Sequence, residues 1–405
     1  MKVLVVHNYY QQPGGEDATC EQECQLLERR GHQVVFYRRS NQEIEGLNGW
    51  QRLRLSADTI WNERSRREFL GLLARERPDV VHVHNTFVVI SPSIFSACQE
   101  AGVPVVQTVQ NYRLFCPAAT FFRDGKICEE CVEHGLFRSV RYACYHKSRS
   151  ATAVVALLIA VNRRRKTWPG KVDHIIAVTQ FSRKKMVEAG LPAEQVMVKP
   201  NFVYPDPGEG QERRDYALFA GRLSPEKRVN TLLVAWSKLS EPVPLLIAGG
   251  GPLQEALEEQ ARRSQLSNIQ FLGQIPRAKT IAAMQSARFV VFPSEWYEGF
   301  PLTICEAFAC GTPVICSRLG AMEEVVDHGR TGFHFTPGNA AELAERAAWA
   351  WNHPEEMRVM GREARREFEA KYTAESNYPL LIDIYERARA RRRGGRAPET
   401  VALMS

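Results

Sequence analysis

The chain has 405 residues, 44% of them hydrophobic and 24% charged, with a formal net charge of +7. That length exceeds what one hydrophobic core usually organises and predicts two domains of roughly 150 to 200 residues. Basic and acidic residues interleave along most of it, apart from Arg163, Arg164, Arg165 and Lys166 and an Arg-rich tail near Arg391; this suits anionic small molecules or membrane surfaces and argues against duplex nucleic acid.

The opening MKVLVVHNYY has no apolar region followed by a small-residue cleavage site, so no export signal is expected. The run Ala151 to Val161 is far short of the roughly 20 residues that span a bilayer. A cytoplasmic chain follows, in which the ten cysteines are expected to stay reduced, as core thiols or metal ligands.

Lys2 to His7 predicts a first strand, followed by the loop QQPGGED and a helix through Glu21, Leu26 and Leu27 that ends at Gly31. HQVVFY, PDVVHVH, VPVVQTV and VDHIIAVT predict further strands separated by helix-length segments, the alternation of a parallel, doubly wound, Rossmann-like sheet. A short helix over Ser182 to Gly190 leads into VMVKPNFV. PDPGEGQERRD has no apolar periodicity and predicts a linker. YALFAGRL, PLLIAGGG, NIQFLG, ARFVVFPS and TPVICS then restart the pattern as a second α/β domain, followed by a helix around Ala374 to Ala388 and a frayed tail.

Ligands of open parallel sheets bind beyond the carboxyl ends of the strands. After YALFA, the segment GRLSPEKR offers Arg222 and Lys227 as two cations able to converge on a diphosphate; an ordinary solvated basic loop is the plainer alternative. After VVFPS, Glu298 and Glu306 lie eight residues apart. Pro301 is expected at the first helical position, with the backbone N–H groups of Leu302 and Thr303 unpaired at a helix terminus suited to phosphate. Glu298 then falls in the loop and Glu306 one turn into the helix, so one carboxylate reaches a sugar and the other a ribose. AGGGP lets backbone approach a ligand closely. Neither it nor Gly14-Gly15 matches the G-x-G-x-x-G fingerprint, which argues against an NAD or FAD enzyme.

In their order and spacing, HNYYQQPGGED, GRLSPEKR, AGGGP, FLG, FPSEWYEGFPLTICEAFACGTPVICS and GAMEEVVDHGRTGF resemble the family 4 retaining glycosyltransferases, also called glycosyl transferases group 1, over nearly the whole chain. The resemblance implies the GT-B fold, an α/β architecture of two Rossmann-like doubly wound parallel-sheet domains facing each other across a cleft. The expected boundaries are an acceptor-side domain over 1–205 with a cysteine-rich insertion near 113–150, a linker at 206–214, a nucleotide-sugar-binding domain over 215–372, a helix at 373–390 packing back on the first domain, and a tail at 391–405.

The implied reaction moves a hexose-type sugar, with retention, from a nucleotide diphosphate-sugar donor to a glycan or lipid-linked glycan acceptor in cell-surface polysaccharide or lipopolysaccharide synthesis, with no cofactor required for catalysis. Arg222 and Lys227 would neutralise the leaving diphosphate, Glu298 would contact donor-sugar hydroxyls, and Glu306 the ribose. Gly14 and Gly15 would let the first-domain loop approach donor phosphate and acceptor, while Gly250, Gly299, Phe300, Pro301, Leu302 and Thr303 complete the donor site. His84, Gln110, Asn111 and Asn201 are expected along the cleft.

Two features depart from the family pattern. Gln110 stands where related sequences commonly carry a His assigned to the transferred sugar, which motivates an alternative reading as a non-catalytic sugar-nucleotide-binding or scaffold protein. Cys116, Cys128, Cys131 and Cys144 have the spacing C-x11-C-x2-C-x12-C in a loop-like segment, which predicts a structural zinc site with His134 and His146 as spare ligands. Four reduced thiols or an iron–sulfur cluster are the alternatives there. A zinc-containing nucleic-acid binder is disfavoured because no recognition-helix pattern accompanies the cysteines. The apolar stretch before Arg163 could lie on an anionic membrane surface, making the protein peripheral to the inner face of the cell membrane; a core helix with a solvated basic end is the other reading.

Overall fold

Strand and helix alternate to give two parallel sheets, each at the centre of its own unit. A computed structural model describes residues 1–11, 14–210, 212 and 214–394. One unit comprises Met1–Ala119, Glu129–Lys199 and the chain from Asn377 on; the other comprises Thr120–Cys128 and Pro200–Ser376. Of the expected linker and tail, residues 211, 213 and 395–405 lie outside the described residues.

The strands of the first unit are β1 (Lys2–Tyr9), β2 (Gln33–Ser40), β3 (Val80–Asn85), β4 (Val105–Val109), β7 (His174–Ala177) and β8 (Val196–Val198). Their spatial order is β2-β1-β3-β4-β7-β8, every neighbouring pair parallel. Val3, Leu4, Val5 and Val6 are all buried, since helices cover both faces of a parallel sheet and its strands read as unbroken apolar runs. The helices before the insertion are α1 (Gly15–Arg29), α2 (Gly49–Ile60), α3 (Glu63–Glu76) and α4 (Ser93–Glu100).

Between β4 and β7 the chain is not the loop its composition suggests. It forms an antiparallel hairpin of β5 (Phe122–Arg123) and β6 (Lys126–Ile127), then α5 (Glu130–Glu133), α6 (Phe137–Arg141), α7 (Arg149–Arg164) and α8 (Thr167–Lys171). Val155, Leu158 and Ile159 of α7 form a buried cluster with Phe87, so one apolar face of this helix belongs to the core. The helix α9 (Gln180–Glu188) follows β7.

The second unit carries β9 (Ala217–Ala220), β10 (Leu245–Ala248), β11 (Ile269–Gly273), β12 (Phe289–Phe292), β13 (Val314–Ser317) and β14 (Gly332–Phe335), in the order β11-β10-β9-β12-β13-β14, again all parallel. Its helices are α10 (Val229–Trp236), α11 (Gln254–Arg263), α12 (Arg277–Ser286), α13 (Leu302–Ala309), α14 (Ala321–Val325), α15 (Ala340–Asn352) and α16 (Pro354–Lys371). Side chains alternate between two cores, as the period of two requires: Ala217, Phe219, Phe289 and Val291 enter one, and Leu218, Ala220, Val290 and Phe292 the other.

The last helix, α17 (Ala374–Arg392), runs beyond the expected Ala388. It buries Leu381, Ile384, Tyr385 and Ala388, at i, i+3, i+4 and i+7, against Val3, Val5, Cys20 and Cys24 of the first unit. The proline- and glycine-rich segment after Pro205 is likewise not a free linker where it is described. Asp206 pairs with Arg365 at 2.7 Å, and Gln285 donates to the carbonyls of Pro207 and Gly208. The boundary between units falls earlier, at Lys199 and Pro200.

A sixth strand, β14, was not among the expected ones because GFHF is short and begins with glycine. That glycine is required: a Cβ on Gly332 would lie 2.0 Å from the carbonyl oxygen of Val314 on the neighbouring strand. Gly332→Ala is expected to destabilise the protein by about 1–3 kcal/mol through overpacking. Gly71→Ala, at an exposed helical position with no atom within 4 Å, is expected to leave stability unchanged or raise it; denaturant unfolding of the two variants measures the contrast.

Candidate functional site

In the second sheet the strand order reverses between β9 and β12, neighbours whose connections leave in opposite directions. This is the topological switch point at which open parallel sheets bind ligands. The loop after β9 carries Arg222 and Lys227; the loop after β12 carries Glu298. They meet: Lys227 Nζ donates to Glu298 Oε1 at 2.6 Å, and Ser294 Oγ donates to the same oxygen at 2.8 Å. Glu298 is 5% exposed, so its carboxylate is oriented by these two donors rather than by solvent. The Lys227 ammonium lies 4.8 Å from the centroid of the Phe292 ring, and Arg222 is exposed on the same loop.

A second pair of contacts holds the two loops in register. Arg228 Nε lies 2.8 Å from Glu295 Oε2, and the Glu295 N–H donates to the carbonyl of Glu226. Arg228 also donates to the carbonyl of Gly125 in the β5–β6 hairpin at 2.6 Å.

Pro301 is the N-cap of α13 rather than its first residue. The Leu302 N–H donates to the carbonyl of Phe300, and the Ile304 and Cys305 N–H groups turn back to the carbonyl of Pro301. Of the two N–H groups expected to be open, Leu302 therefore has a partner, and Thr303 has no backbone acceptor among the described residues. Gly299 and Phe300 are half-buried just ahead of the turn. Glu306 lies one turn into α13, where Arg277 of α12 donates to its Oε1 at 2.9 Å. Burial raises the Glu306 carboxyl above its ordinary value, and Arg277 opposes that shift.

The glycines of AGGGP serve first to pack backbone on backbone. A Cβ on Gly249 would lie 1.9 Å from the carbonyl oxygen of Gly221, and one on Gly251 2.5 Å from that of Leu223, whereas at Gly250 the nearest atom is Gln274 Cβ at 3.5 Å. The Leu223 N–H donates to the carbonyl of Gly250, so this loop braces the one that carries Arg222 and Lys227.

In the first unit, a small cavity of about 50 Å³ is lined by His84, Gln110 and Asn111 together with Glu16, Asn85 and Arg113. Three of the expected cleft residues thus converge, and Glu16 joins them: Tyr10 OH and Asn111 Nδ2 both donate to its Oε2, at 3.0 and 3.3 Å. Gly14 caps α1, and Gly15 is its first residue; Asp17 accepts from the Gly14 N–H at 3.0 Å and contacts His7 Nε2 at 2.7 Å, tying the glycine turn to β1. Asn201 is buried at the start of the second unit. A concavity of about 740 Å³ beside the edge strand β11 is lined by Glu258, Arg262, Gln265 and Phe271 and holds none of these residues.

His84 also belongs to a buried charge cluster. Glu23 of α1 lies 2.9 Å from His82 Nδ1, 3.2 Å from His84 Nε2 and 2.8 Å from Lys199 Nζ. Lys199 donates to Asn377 Oδ1, and His82 Nδ1 is 2.7 Å from Tyr385 OH, so residues of α17 complete the cluster. Although burial alone would raise the Glu23 carboxyl, Lys199 and His82 hold it well below its ordinary value. Among the described residues Glu23, His82 and His84 are the one set of three metal-ligand types brought together; the Lys199 ammonium on the same carboxylate gives them the character of an ion-pair cluster. Cys116, Cys131 and Cys144 of the first unit are not gathered in that way, and Cys128 falls in the second.

The sequence marked the strand ends but not these partners. Glu16 had a signal, since it follows Gly14-Gly15 directly. Arg277, Glu23 and Lys199 had none, because they meet their partners only through tertiary packing.

The architecture is the GT-B fold. The structure of Anabaena HepE in complex with UDP superposes with a TM-score of 0.63 at 19% identity, covering 95% of this chain and 99% of that one. Residues 14–201 match the glycosyl transferase 4-like domain and residues 205–367 match glycosyl transferases group 1, one on each half of the chain. D-rhamnosyltransferase WbpZ of Pseudomonas aeruginosa is 33% identical over 161 residues, 39% of this chain and 42% of its own length. Phosphatidyl-myo-inositol mannosyltransferase of Mycobacterium leprae is 32% identical over 218 residues, 50% of this chain and 55% of its own. The chain thus spans about half the length of the curated relatives it matches.

Burial, and the neighbouring His82, lower the His84 pKa from 6.5 to about 4. The unfolded chain therefore binds a proton between pH 6.5 and 4 that the folded protein does not, so this contribution to stability is full above the window and is lost as pH falls through it. Unfolding free energies measured across that range are expected to decline toward acid, with a shallower slope in His84→Gln.

Proposed function

We propose that the protein is a retaining hexosyltransferase that moves a sugar from a nucleotide diphosphate-sugar to a glycan or lipid-linked glycan acceptor during cell-surface polysaccharide synthesis. The observation that carries this reading is the Lys227–Glu298 pair at the switch point of the second sheet, with Arg222 on the same loop.

Breaking a glycosyl phosphate bond builds negative charge on the departing diphosphate, and fixed cations at that position lower the barrier because they need no reorganisation. Lys227 and Arg222 are assigned that role, with the Thr303 N–H at the start of α13 as a further donor. Glu298, held by Lys227 and Ser294, accepts from donor-sugar hydroxyls, and Glu306 from the ribose. In the transfer the acceptor oxygen bonds the anomeric carbon, the bond from that carbon to the diphosphate oxygen breaks, and the acceptor proton leaves with the diphosphate. Attack on the face from which the diphosphate departs retains configuration without a protein nucleophile. His84, neutral at physiological pH, Gln110, Asn111 and Glu16 contribute hydrogen bonds to sugar or acceptor. The mannosyltransferase relative, named for phosphatidyl-myo-inositol, supports a lipid-linked acceptor, and UDP bound to HepE supports a nucleotide-sugar donor. Relatives named as transferases weigh against the scaffold reading.

Calorimetric titration with UDP-, GDP-, ADP- and dTDP-sugars is expected to give binding by one donor family; a folded protein that binds none would end this reading. Lys227→Ala and Arg222→Ala are each expected to lower turnover by about 10²–10³-fold with the fold intact. Glu306→Ala is expected to weaken donor binding by about ten- to a hundredfold. Steady-state rates and donor dissociation constants of the three variants separate the roles.

Structural zinc on Cys116, Cys128, Cys131 and Cys144 remains a proposal supported by the C-x2-C spacing. Stoichiometric zinc in the purified protein, lost in Cys128→Ser/Cys131→Ser, is the expected result; metal-free protein of wild-type stability would remove it.

A further inference from the structure

The cysteine-rich insertion sends one piece of itself into the second unit. Thr120–Cys128 is the one segment before Pro200 that belongs there, and it holds the β5–β6 hairpin. The hairpin is written locally in FRDGKI. Phe122 pairs with Ile127 and Arg123 with Lys126, which leaves Asp124 and Gly125 as a two-residue turn at φ +51° and +77°. Asp-Gly is a pair that such a turn, left-handed at both central residues, prefers. Strands of two residues each cannot hold a hairpin in place by themselves, so its position depends on what it leans on. It leans on the loops that carry Lys227 and Glu298, at the residues next to each. Arg228 donates to the Gly125 carbonyl at 2.6 Å, with its guanidinium carbon 6.0 Å from the centre of the Phe122 ring. Phe121, 1% exposed, meets Tyr297 edge to face with ring centres 6.5 Å apart. Both members of the Lys227–Glu298 pair therefore have a chain neighbour seated on the hairpin.

Arginine is a costly choice at position 228. Its φ of +52° lies in the left-handed region, where a side chain brings steric strain that glycine avoids. Arg228 ends the short 3-10 turn Pro225–Lys227 and precedes α10, a junction at which its side chain makes no capping hydrogen bond. The junction thus uses the backbone conformation alone, and the side chain acts elsewhere. Its fork reaches Glu295 Oε2 at 2.8 Å on one side and the Gly125 carbonyl on the other. A planar guanidinium spans two acceptors in fixed directions, whereas a lysine ammonium is a single point of charge. Backbone strain of this kind persists where surrounding contacts over-determine it, and it gathers at functional sites.

We propose that the β5–β6 hairpin is a positioning element for the Lys227–Glu298 pair and that Arg228 is the positioning residue through which it acts, fixing the direction in which Lys227 leaves its turn. The inference rests on the donor reading given above and adds to it a part of the chain that need touch neither sugar nor diphosphate. A cation lowers the barrier for a departing diphosphate only while it is held in place, and a displacement of about 1 Å can cost about a hundredfold in rate. Glu295 alone would tie Arg228 to the loop after β12 and leave the guanidinium free to swing about that one contact. The Gly125 carbonyl supplies the second point, and Phe121 against Tyr297 steadies the hairpin from the other loop.

The test follows release of nucleoside diphosphate by the full chain from UDP-glucose, GDP-mannose, ADP-glucose and dTDP-glucose without acceptor, beside thermal unfolding. Arg228→Gly is expected to leave Tm essentially unchanged, because glycine relieves the left-handed position as the partly exposed ion pair with Glu295 is lost. The same variant is expected to lower turnover about ten- to a hundredfold with a smaller change in donor KM. Arg228→Lys, which keeps the charge without the fork, is expected to recover part of the rate. Gly125→Ala would place a Cβ 2.9 Å from the Arg228 guanidinium; it is expected to lower the rate by itself and to add nothing to Arg228→Gly, since both cut one link. Wild-type turnover in Arg228→Gly, a fall in its Tm that matches the loss of rate, or losses in the two variants that multiply would overturn the proposal. Wild-type protein that neither binds nor cleaves any of the four sugars would end the donor reading and this inference with it, a result distinct from wild-type release that the variants leave unchanged.

Discussion

Where the order of a parallel sheet reverses, two adjacent strands send their connections to opposite faces, and the ends of those strands are left with no helix crossing over them. In the second sheet those strands are β9 and β12. Their outer neighbours, their alternating side chains and both apolar cores fix them side by side, and the distance between Lys227 and Glu298 follows from that fixation rather than from either loop alone. The site therefore inherits its precision from Phe219, Val290 and Phe292, none of which need touch a ligand. Arg228 and Glu295 form a second bridge between the same two loops, and backbone bonds from the AGGGP turn brace the loop that carries Lys227.

The first unit solves a different problem. Its last helix arrives from the far end of the sequence and must find one docking position on β1 and α1. Apolar contacts through Leu381, Ile384 and Tyr385 supply adhesion but tolerate sliding. The Glu23 carboxylate, shared by Lys199 and two histidines and joined through them to Asn377 and Tyr385, tolerates none, since any shift would strand a buried charge. His84 belongs to that cluster and also lines the cavity where Gln110, Asn111 and Glu16 converge.

How much of this was legible follows from the range of each interaction. Apolar runs of four or five residues with turn residues after them predicted five strands in each sheet, because a parallel strand writes its burial into consecutive positions. VMVKPNFV and GFHF hid the sixth strands, the former reading as a continuation after a helix and the latter beginning with a glycine that close strand approach demands. Glu298 and Glu306 were readable because their spacing places them on a loop and a first helical turn. Pro301 was misplaced by one position, a shift that changes which N–H is open. Arg277, Glu23 and Lys199 carry no local pattern, and His84, expected along the cleft, also serves the buried cluster. Proline, glycine and charge made the segment after Pro205 look unattached, although Arg365 and Gln285 bind it to the second unit.

The three glycines after β10 set a limit on how the loop beside Arg222 and Lys227 can be redesigned. Two of them are consumed by contact with the carbonyls of Gly221 and Leu223 and are closed to any side chain, while Gly250 alone has ordinary room around it. A library built on this turn would therefore have one usable position, and diversity introduced on either side of it would be spent on unfolded protein.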